Sequence, residues 1–289
     1  MSALAGRACA LAAVACAASA RADTPKPVVL APDAALGRHG EVYALDAKTG
    51  VWARRGATTI AGDVIGAARG LAATRDGDVF RLARDQWTVV YFGQHAKAIL
   101  GAGPRAVAAV GRTVYALDSA APQKLADAPD PVIALAASPG GVVIETEHDV
   151  LRLAGTAWTP LKRGPHHVAA LLSDRFALAD GGAGVVELAT GKVVAWPSPI
   201  AAAVAVGDRV YAASGAELFT LHAGRVAREP VTAAAAGDAA VAIAADATRV
   251  VIATRDGHLL VRAHGAWIAA DARDETPLAR PGSPPARSR

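Results

Sequence analysis

The chain has little cysteine, and both of its cysteines, Cys9 and Cys16, lie within the first 22 of its 289 residues. Those residues have the pattern of a cleaved leader, so we expect a mature protein without any thiol. Disulfide bonds, cysteine-ligated metal sites and a cysteine nucleophile are then excluded from its chemistry.

The leader over residues 1–22 has the three parts of a secretory signal peptide. Arg7 supplies a positive charge, residues 8–18 form a core of small apolar side chains, and residues 20–22 (Ala-Arg-Ala) fit the small-x-small cleavage rule. The core is too short to cross a bilayer. We therefore predict export to the periplasm or secretion. Lipid attachment at Cys16 is the less favoured alternative, because the leucine of a bacterial lipobox is missing.

The chain also lacks a strong excess of charge, since 30 lysines and arginines stand against 26 acidic residues. Part of that small excess lies in the leader and in the last 17 residues, so the body of the chain is close to neutral. A nucleic-acid-binding protein needs a clustered basic face, and we therefore expect no nucleic-acid partner. No apolar run after the leader reaches the roughly 18 residues of a membrane-spanning helix. We expect a monomer without a transmembrane segment.

One short apolar segment recurs seven times, at intervals of 33 to 41 residues. Its copies begin at Val42, Val79, Val114, Val150, Val185, Leu218 and Leu259, which are called the anchor residues below. Each repeat divides into four short apolar runs bounded by glycine, proline, aspartate or serine, which is typical of strands joined by turns. The period predicts an all-β, seven-bladed β-propeller of four-stranded antiparallel blades over residues 23–271. A β-sandwich pair and a β-helix are the alternatives.

Side-chain size within each repeat favours this radial arrangement. The first run of most repeats is rich in glycine and alanine, which suits inner strands crowded around a central channel. The five tryptophans fall in or after the last two runs, where we expect them to pack between neighbouring blades. Residues 27–31 are predicted to form either the inner strand of the first blade or an outer strand of the last one. Residues 272–289 are predicted to be a disordered tail.

Two segments resemble known propeller repeats. Residues 40–50 (GEVYALDAKTG), followed by Trp52, resemble the repeat of quinoprotein-dehydrogenase-like propellers. Residues 185–196 (VVELATGKVVAW) resemble the YVTN-type repeat of secreted surface-layer proteins, and the other repeats match only a generic, WD40-like pattern. The first resemblance implies a propeller fold in a family that contains both quinone enzymes and non-catalytic assembly lipoproteins. Its catalytic members hold calcium partly through asparagine, which this chain lacks, so we predict no cofactor.

Candidate functional residues concentrate on one end of the predicted propeller. Turns between the second and third strands, and connections between blades, emerge together there, and such loops commonly carry binding residues. The candidate binding residues are His39, Arg75, Asp76, His95, Glu145, Glu147, His148, Asp149, His166, His167, Arg255, Asp256 and His258. Because imidazole groups can ligate zinc, copper or iron, His148, His166 and His167 are the candidate ligands of a transition metal.

The sequence contains no nucleophile elbow, phosphate-binding loop or HExxH motif. We therefore predict a non-catalytic periplasmic propeller that binds an envelope protein or peptide on its loop-rich face. One alternative is a metal-dependent lactonase, lyase or hydrolase. Another is a propeller that binds a small ligand or carbohydrate, for which Tyr91 and Phe92 are the best exposed aromatic candidates.

Overall fold

The structure is a computed structural model in which a defined set of residues is described. They are residues 29–30, 34–36, 41–46, 51–55, 59–68, 70–83, 86–91, 93, 98–102, 105–119, 121–138, 140–161, 168–231, 239–254, 259–263, 266–270 and 272–273. The predicted leader lies outside them and stays a prediction. Among the described residues, no helix is long and apolar enough to cross a membrane.

The described elements are almost entirely strands, which we number with their sheets in chain order. Sheet 1 begins with β1 (Val29–Leu30), β2 (Ala34–Leu36), β3 (Val42–Asp46) and β4 (Val51–Arg55). Sheet 2 has β5 (Val64–Ala68), β6 (Leu71–Thr74), β7 (Val79–Ala83) and β8 (Gln86–Tyr91). Sheet 3 has β9 (Ala98–Leu100), β10 (Val107–Val110), β11 (Thr113–Ala116) and β12 (Gln123–Asp127). Sheet 4 has β13 (Ala134–Ser138), β14 (Gly141–Glu145), β15 (Val150–Ala154) and β16 (Ala157–Pro160).

The remaining strands continue the same plan. Sheet 5 has β17 (Ala170–Leu171), β18 (Phe176–Leu178), β19 (Gly184–Glu187) and β20 (Lys192–Ala195), with a short 3-10 turn at Asp180–Gly182. Sheet 6 has β21 (Ala202–Val206), β22 (Arg209–Ser214), β23 (Glu217–His222) and β24 (Arg225–Glu229). Sheet 7 has β25 (Ala240–Ala245), β26 (Arg249–Thr254), β27 (Leu259–Ala263) and β28 (Ala266–Ala270), and β29 (Ala272–Arg273) follows it.

Sheets 2 to 7 are four-stranded antiparallel blades of the predicted kind, so the structure has six such blades rather than seven. Sheet 1 differs because its order is β1-β2-β3-β4-β29, and β29 pairs in parallel with β4. β29 continues the chain in the direction of β28. Because β28 and β4 are both fourth strands and run the same way in their sheets, β29 pairs with β4 in parallel. The first two residues of the predicted disordered tail thus form a strand, while residues 274–289 lie outside the described residues.

The first strands of the sheets pack against one another around a common axis. β1 contacts β5 on one side and β25 on the other, so the chain ends meet and the ring closes. Since β1 pairs with β2, the segment near residue 29 is the inner strand of sheet 1 and not an outer strand of sheet 7. Apolar clusters fill the gaps between successive sheets, and all seven anchor residues are buried in them.

The tryptophans whose side chains are described pack between sheets, as predicted. Trp87 lies between sheets 1 and 2, Trp158 between sheets 3 and 4, and Trp267 between sheets 6 and 7. Trp196 is the most deeply buried of them and lies between sheets 5 and 6, where its ring meets Phe219 edge-on at 6.2 Å. The side chain of Trp52 lies outside the described set.

Two arginines at one repeat position bridge neighbouring sheets. Arg81 and Arg152 each lie two residues after an anchor residue, on the side of the third strand that faces the next sheet. The Arg81 guanidinium donates to the carbonyl oxygens of Leu117 and Ser119, the latter at 2.8 Å. The Arg152 guanidinium donates to the carbonyl oxygen of Asp174 at 2.7 Å. These bridging arginines satisfy turn carbonyls of the following sheet.

The hairpin between β23 and β24 has an unusual turn residue. His222 pairs with Arg225, so the turn is Ala223-Gly224, with φ of 48° and 74°. Both values are left-handed, as a two-residue type I′ turn requires, and asparagine is preferred at the first position. We expect Ala223→Asn to raise the free energy of unfolding by about 0.5–1 kcal/mol, because alanine is strained there. Urea denaturation measures this change.

The control for this hairpin variant is Ala227→Asn, at an exposed position on β24. Asparagine is disfavoured in strands, so Ala227→Asn should be neutral or destabilising. A stability loss in Ala223→Asn equal to that of the control would contradict the assignment of strain to Ala223.

Candidate functional site

The predicted binding residues belong to one end of the propeller, which we call the turn face. It consists of the turns between second and third strands and the connections from each sheet to the next. Within the described residues, Arg75 and Asp76 are exposed in the turn between β6 and β7. Glu147 and His148 are exposed in the turn between β14 and β15. These four side chains are available to a partner.

Buried hydroxyl groups fix the shape of these two turns. The Thr74 hydroxyl oxygen accepts a hydrogen bond from the backbone N–H of Asp78 at 3.2 Å. The Thr146 hydroxyl oxygen accepts one from the N–H of Asp149 at 3.3 Å. Both threonines are buried. The exposed tips are therefore held on a rigid base, which reduces the entropy lost when a partner binds.

Glu145 differs from the other predicted binding residues because only 4% of it is exposed. One of its carboxylate oxygens accepts a hydrogen bond from the backbone N–H of Val168 at 3.1 Å, which ties sheet 4 to the start of sheet 5. A buried acceptor that satisfies a buried donor has a structural role. Glu145 therefore positions the connection and is not an exposed binding residue.

The predicted metal ligands are only partly tested by the geometry. No group of three or more histidine, aspartate, glutamate or cysteine side chains that could hold a metal occurs among the described residues. His148 is described, but His166 and His167 lie outside the described residues. The same is true of five other candidates: His39, His95, Arg255, Asp256 and His258. A metal site that uses them stays a prediction.

Two large apolar side chains on the turn face were not anticipated from the sequence. Ile133 precedes β13 and is 54% exposed, and Val241 near the start of β25 is 51% exposed. Both stand where an inner strand begins, at the entrance of the central channel. The register between β25 and β26 shifts between Ala240 and Ala242, so Val241 sits in a β-bulge, and bulges commonly re-aim a side chain. Other inner strands also carry large residues, such as Ile65 in β5 and Leu171 in β17, so side-chain size in the sequence did not single out these two.

A stable negative charge lies beside the connection that carries Ile133. The Lys124 ammonium donates to one oxygen of the Asp127 carboxylate at 2.6 Å, and the Thr113 hydroxyl donates to the other at 2.8 Å. These hydrogen bonds, with that of Lys124 the larger cause, hold the pKa of Asp127 below its usual value. Asp127 therefore stays charged to lower pH than an ordinary aspartate, and its ion pair with Lys124 persists there on the turn face.

Comparisons with known proteins give structural matches only. No protein-family model matches the chain, and no curated protein matches it by sequence. YCF48 bound to D1 peptide is 13% identical with a TM-score of 0.54, covering 83% of this chain and 93% of that one. The fold is a β-propeller. BamB from Moraxella catarrhalis matches this propeller at 15% identity and a TM-score of 0.51, covering 83% of each chain. The WD40 propeller domain of Doa1 matches at 10% identity and a TM-score of 0.53, covering 82% of this chain and 92% of that one. Identities this low show the fold alone.

Proposed function

We propose that this chain is a non-catalytic propeller that binds a protein or peptide partner on its turn face, in the periplasm or as a secreted protein. In this proposal the five-stranded sheet 1 acts as a seventh blade and completes the ring. The predicted leader supports export. The repeat pattern, with its anchor residue in β3, supports the seventh blade.

The exposure of Ile133 and Val241 carries the proposal. Single exposed apolar residues are ordinary on protein surfaces. These two, however, both lie where an inner strand begins on the turn face, Ile133 one residue before β13 and Val241 at the second residue of β25. Apolar side chains at the centre of a surface, with polar groups around them, form the usual plan of a protein-binding site. The charged tips that hold Arg75, Asp76 and Glu147 supply the polar rim.

The occupant that fits this surface is a peptide segment with a central apolar side chain and charged residues of both signs at its ends. The apolar side chain would cover Ile133 and Val241 at the channel entrance. The charged ends would meet the rim of the turn face. The complex of YCF48 with D1 peptide is a precedent for peptide binding by a propeller of this general shape.

The test is a comparison of immobilised protein variants in a pull-down from envelope extract. We expect a specific protein to be captured by the unaltered chain and lost, by tenfold or more, from Ile133→Glu/Val241→Glu. A charged side chain at each central position would be buried by the partner without a counter-charge, and a combined cost of about 1.4 kcal/mol already weakens binding tenfold. The control is Val193→Glu, because Val193 is also 54% exposed but lies on β20, the outer strand of sheet 5.

Two results would contradict the proposal. Equal capture by the double variant and the Val193→Glu control would show that the channel entrance is not the binding surface. Capture of no specific protein by the unaltered chain would remove the proposed function itself. Far-UV circular dichroism of each variant ensures that the comparison concerns folded protein.

A further inference from the structure

A cavity lies between sheets 5 and 6, at the end of the propeller opposite the turn face. Its volume is about 230 Å³. Phe176, Val194 and Leu221 form its apolar part, and the strained Ala223-Gly224 turn forms part of its wall. Nothing in the proposed partner-binding function uses this cavity, since the two sites are at opposite ends of the sheets.

The repeat places a different side chain at this junction than at two others. The position two residues after the anchor residue holds the bridging arginines in sheets 2 and 4, and it holds Glu187 in sheet 5. A carboxylate cannot donate a hydrogen bond to a turn carbonyl of the next sheet, as Arg152 does to Asp174. The corresponding turn of sheet 6 instead contributes Asp208 to the cavity lining. Two carboxylates thus line this junction, whereas a guanidinium bridges the junctions after sheets 2 and 4. The same position is uncharged in the remaining sheets, where it holds Ala44, Ala116, Thr220 and Val261.

The acidic side of the cavity is ordered. The hydroxyl of Thr190 donates to a Glu187 carboxylate oxygen at 2.9 Å, which fixes the orientation of that carboxylate. One oxygen of Asp208 lies 3.4 Å from Nδ1 of His222. Each carboxylate keeps a further oxygen with lone pairs for a ligand, because an ionised carboxylate can accept about four hydrogen bonds.

The same cavity also contains two cationic side chains. The Arg175 guanidinium stacks over the Phe176 ring, 5.2 Å from its centroid. Lys192 pairs with Glu187 across the strands β20 and β19, so its side chain is on the cavity side of the sheet. Within the described part of the chain, neither cation forms an ion pair. The cavity therefore presents both signs of charge around an apolar centre.

We propose that this cavity binds a free amino acid with a basic side chain, such as arginine. The ligand guanidinium takes the position of a bridging arginine, between Glu187 and Asp208, where its planar fork pairs well with carboxylates. The ligand carboxylate meets Arg175 and Lys192. The volume of about 230 Å³ suits a molecule of about amino-acid size and is below the roughly 300–1,000 Å³ of pockets for drug-sized ligands.

The test is isothermal titration of the full chain with L-arginine. We expect binding that weakens at least tenfold in Glu187→Gln, which keeps the shape of the side chain and removes its charge. Agmatine, which lacks the carboxylate, should also bind at least tenfold more weakly than arginine. The matched control is Glu217→Gln, because Glu217 is on the same propeller but pairs with Arg228 at 2.7 Å, away from the cavity.

A second variant places an arginine at position 187 of sheet 5, as Arg81 and Arg152 are placed in sheets 2 and 4. Glu187→Arg should occupy the cavity, abolish arginine binding and leave the midpoint of thermal unfolding unchanged or raised. The proposal is overturned if the unaltered chain shows no binding at millimolar arginine, or if Glu187→Gln binds like the control. It is also overturned if folded Glu187→Arg binds arginine normally, or if agmatine binds as tightly as arginine. None of these results depends on a protein partner.

Discussion

Replacing Trp196 with alanine is expected to lower the free energy of unfolding by about 3–5 kcal/mol, the usual cost of removing a buried aromatic side chain. Trp196 is only 8% exposed and fills the gap between sheets 5 and 6 together with Phe219. The substitution removes its contacts with both sheets and leaves a cavity at their junction. Urea denaturation followed by far-UV circular dichroism measures the loss.

Two further substitutions make this expectation specific. Trp196→Phe should cost less than half as much, because it keeps a ring, and the Trp196 indole N–H has no hydrogen-bond partner among the described residues. Trp158→Ala should also cost less, since Trp158 is only half-buried. Equal losses for Trp158→Ala and Trp196→Ala would show that burial between sheets does not set the contribution of these tryptophans.

Replacing Gly182 with alanine is the second change for which we expect a large effect, a loss of about 2–4 kcal/mol. Gly182 has a φ of 67°, and a Cβ atom placed there would lie 2.7 Å from the carbonyl oxygen of Ile200. Its own carbonyl accepts a hydrogen bond from the Ile200 N–H at 2.9 Å, so the two segments cannot separate without breaking it. Left-handed strain and steric overlap therefore add together.

The neighbouring residue is a matched control for Gly182. Gly181 has the same φ of 67°, but a Cβ atom there meets nothing within 4 Å. Gly181→Ala should therefore cost only the left-handed strain of about 1–2 kcal/mol. Thermal and urea unfolding of the two variants separate the two effects. Similar losses in both would show that the approach of Gly182 to Ile200 contributes nothing.

The strand pattern could be predicted closely because it depends on local rules. In sheet 6 two of the short runs of the repeat form β22 (Arg209–Ser214) and β23 (Glu217–His222), each bounded by turn residues. Short apolar runs between glycine-rich turns leave few alternatives for the backbone, and the anchor residues mark the positions that must be buried. The tryptophans whose side chains are described lie between sheets because they fall in or after the last two runs of their repeats.

The exposure of the predicted binding residues could not be read from the sequence of a single repeat. The sequence placed Arg75 and Glu145 in the same set, yet Arg75 is exposed while Glu145 is buried and bonded to the next sheet. Glu145 is the last residue of β14 and pairs with the anchor residue Val150, whereas Arg75 follows the end of β6 and lies in the turn. The sequence pattern did not fix where each strand ends. Ile133 and Val241 were missed because the sequence pattern specifies neither the first residue of β13 nor the bulge that re-aims Val241.

The sequence by itself determined the all-β class, the four-strand unit and the buried anchor residues, since these depend on hydrophobic period and turn residues within about 40 residues. Only the tertiary structure decided that β29 joins sheet 1 and that Arg81 and Arg152 bridge sheets. The same is true of the cavity at Glu187. These features depend on which sheets become neighbours when the ring closes, and contacts between distant segments are not specified by any local pattern.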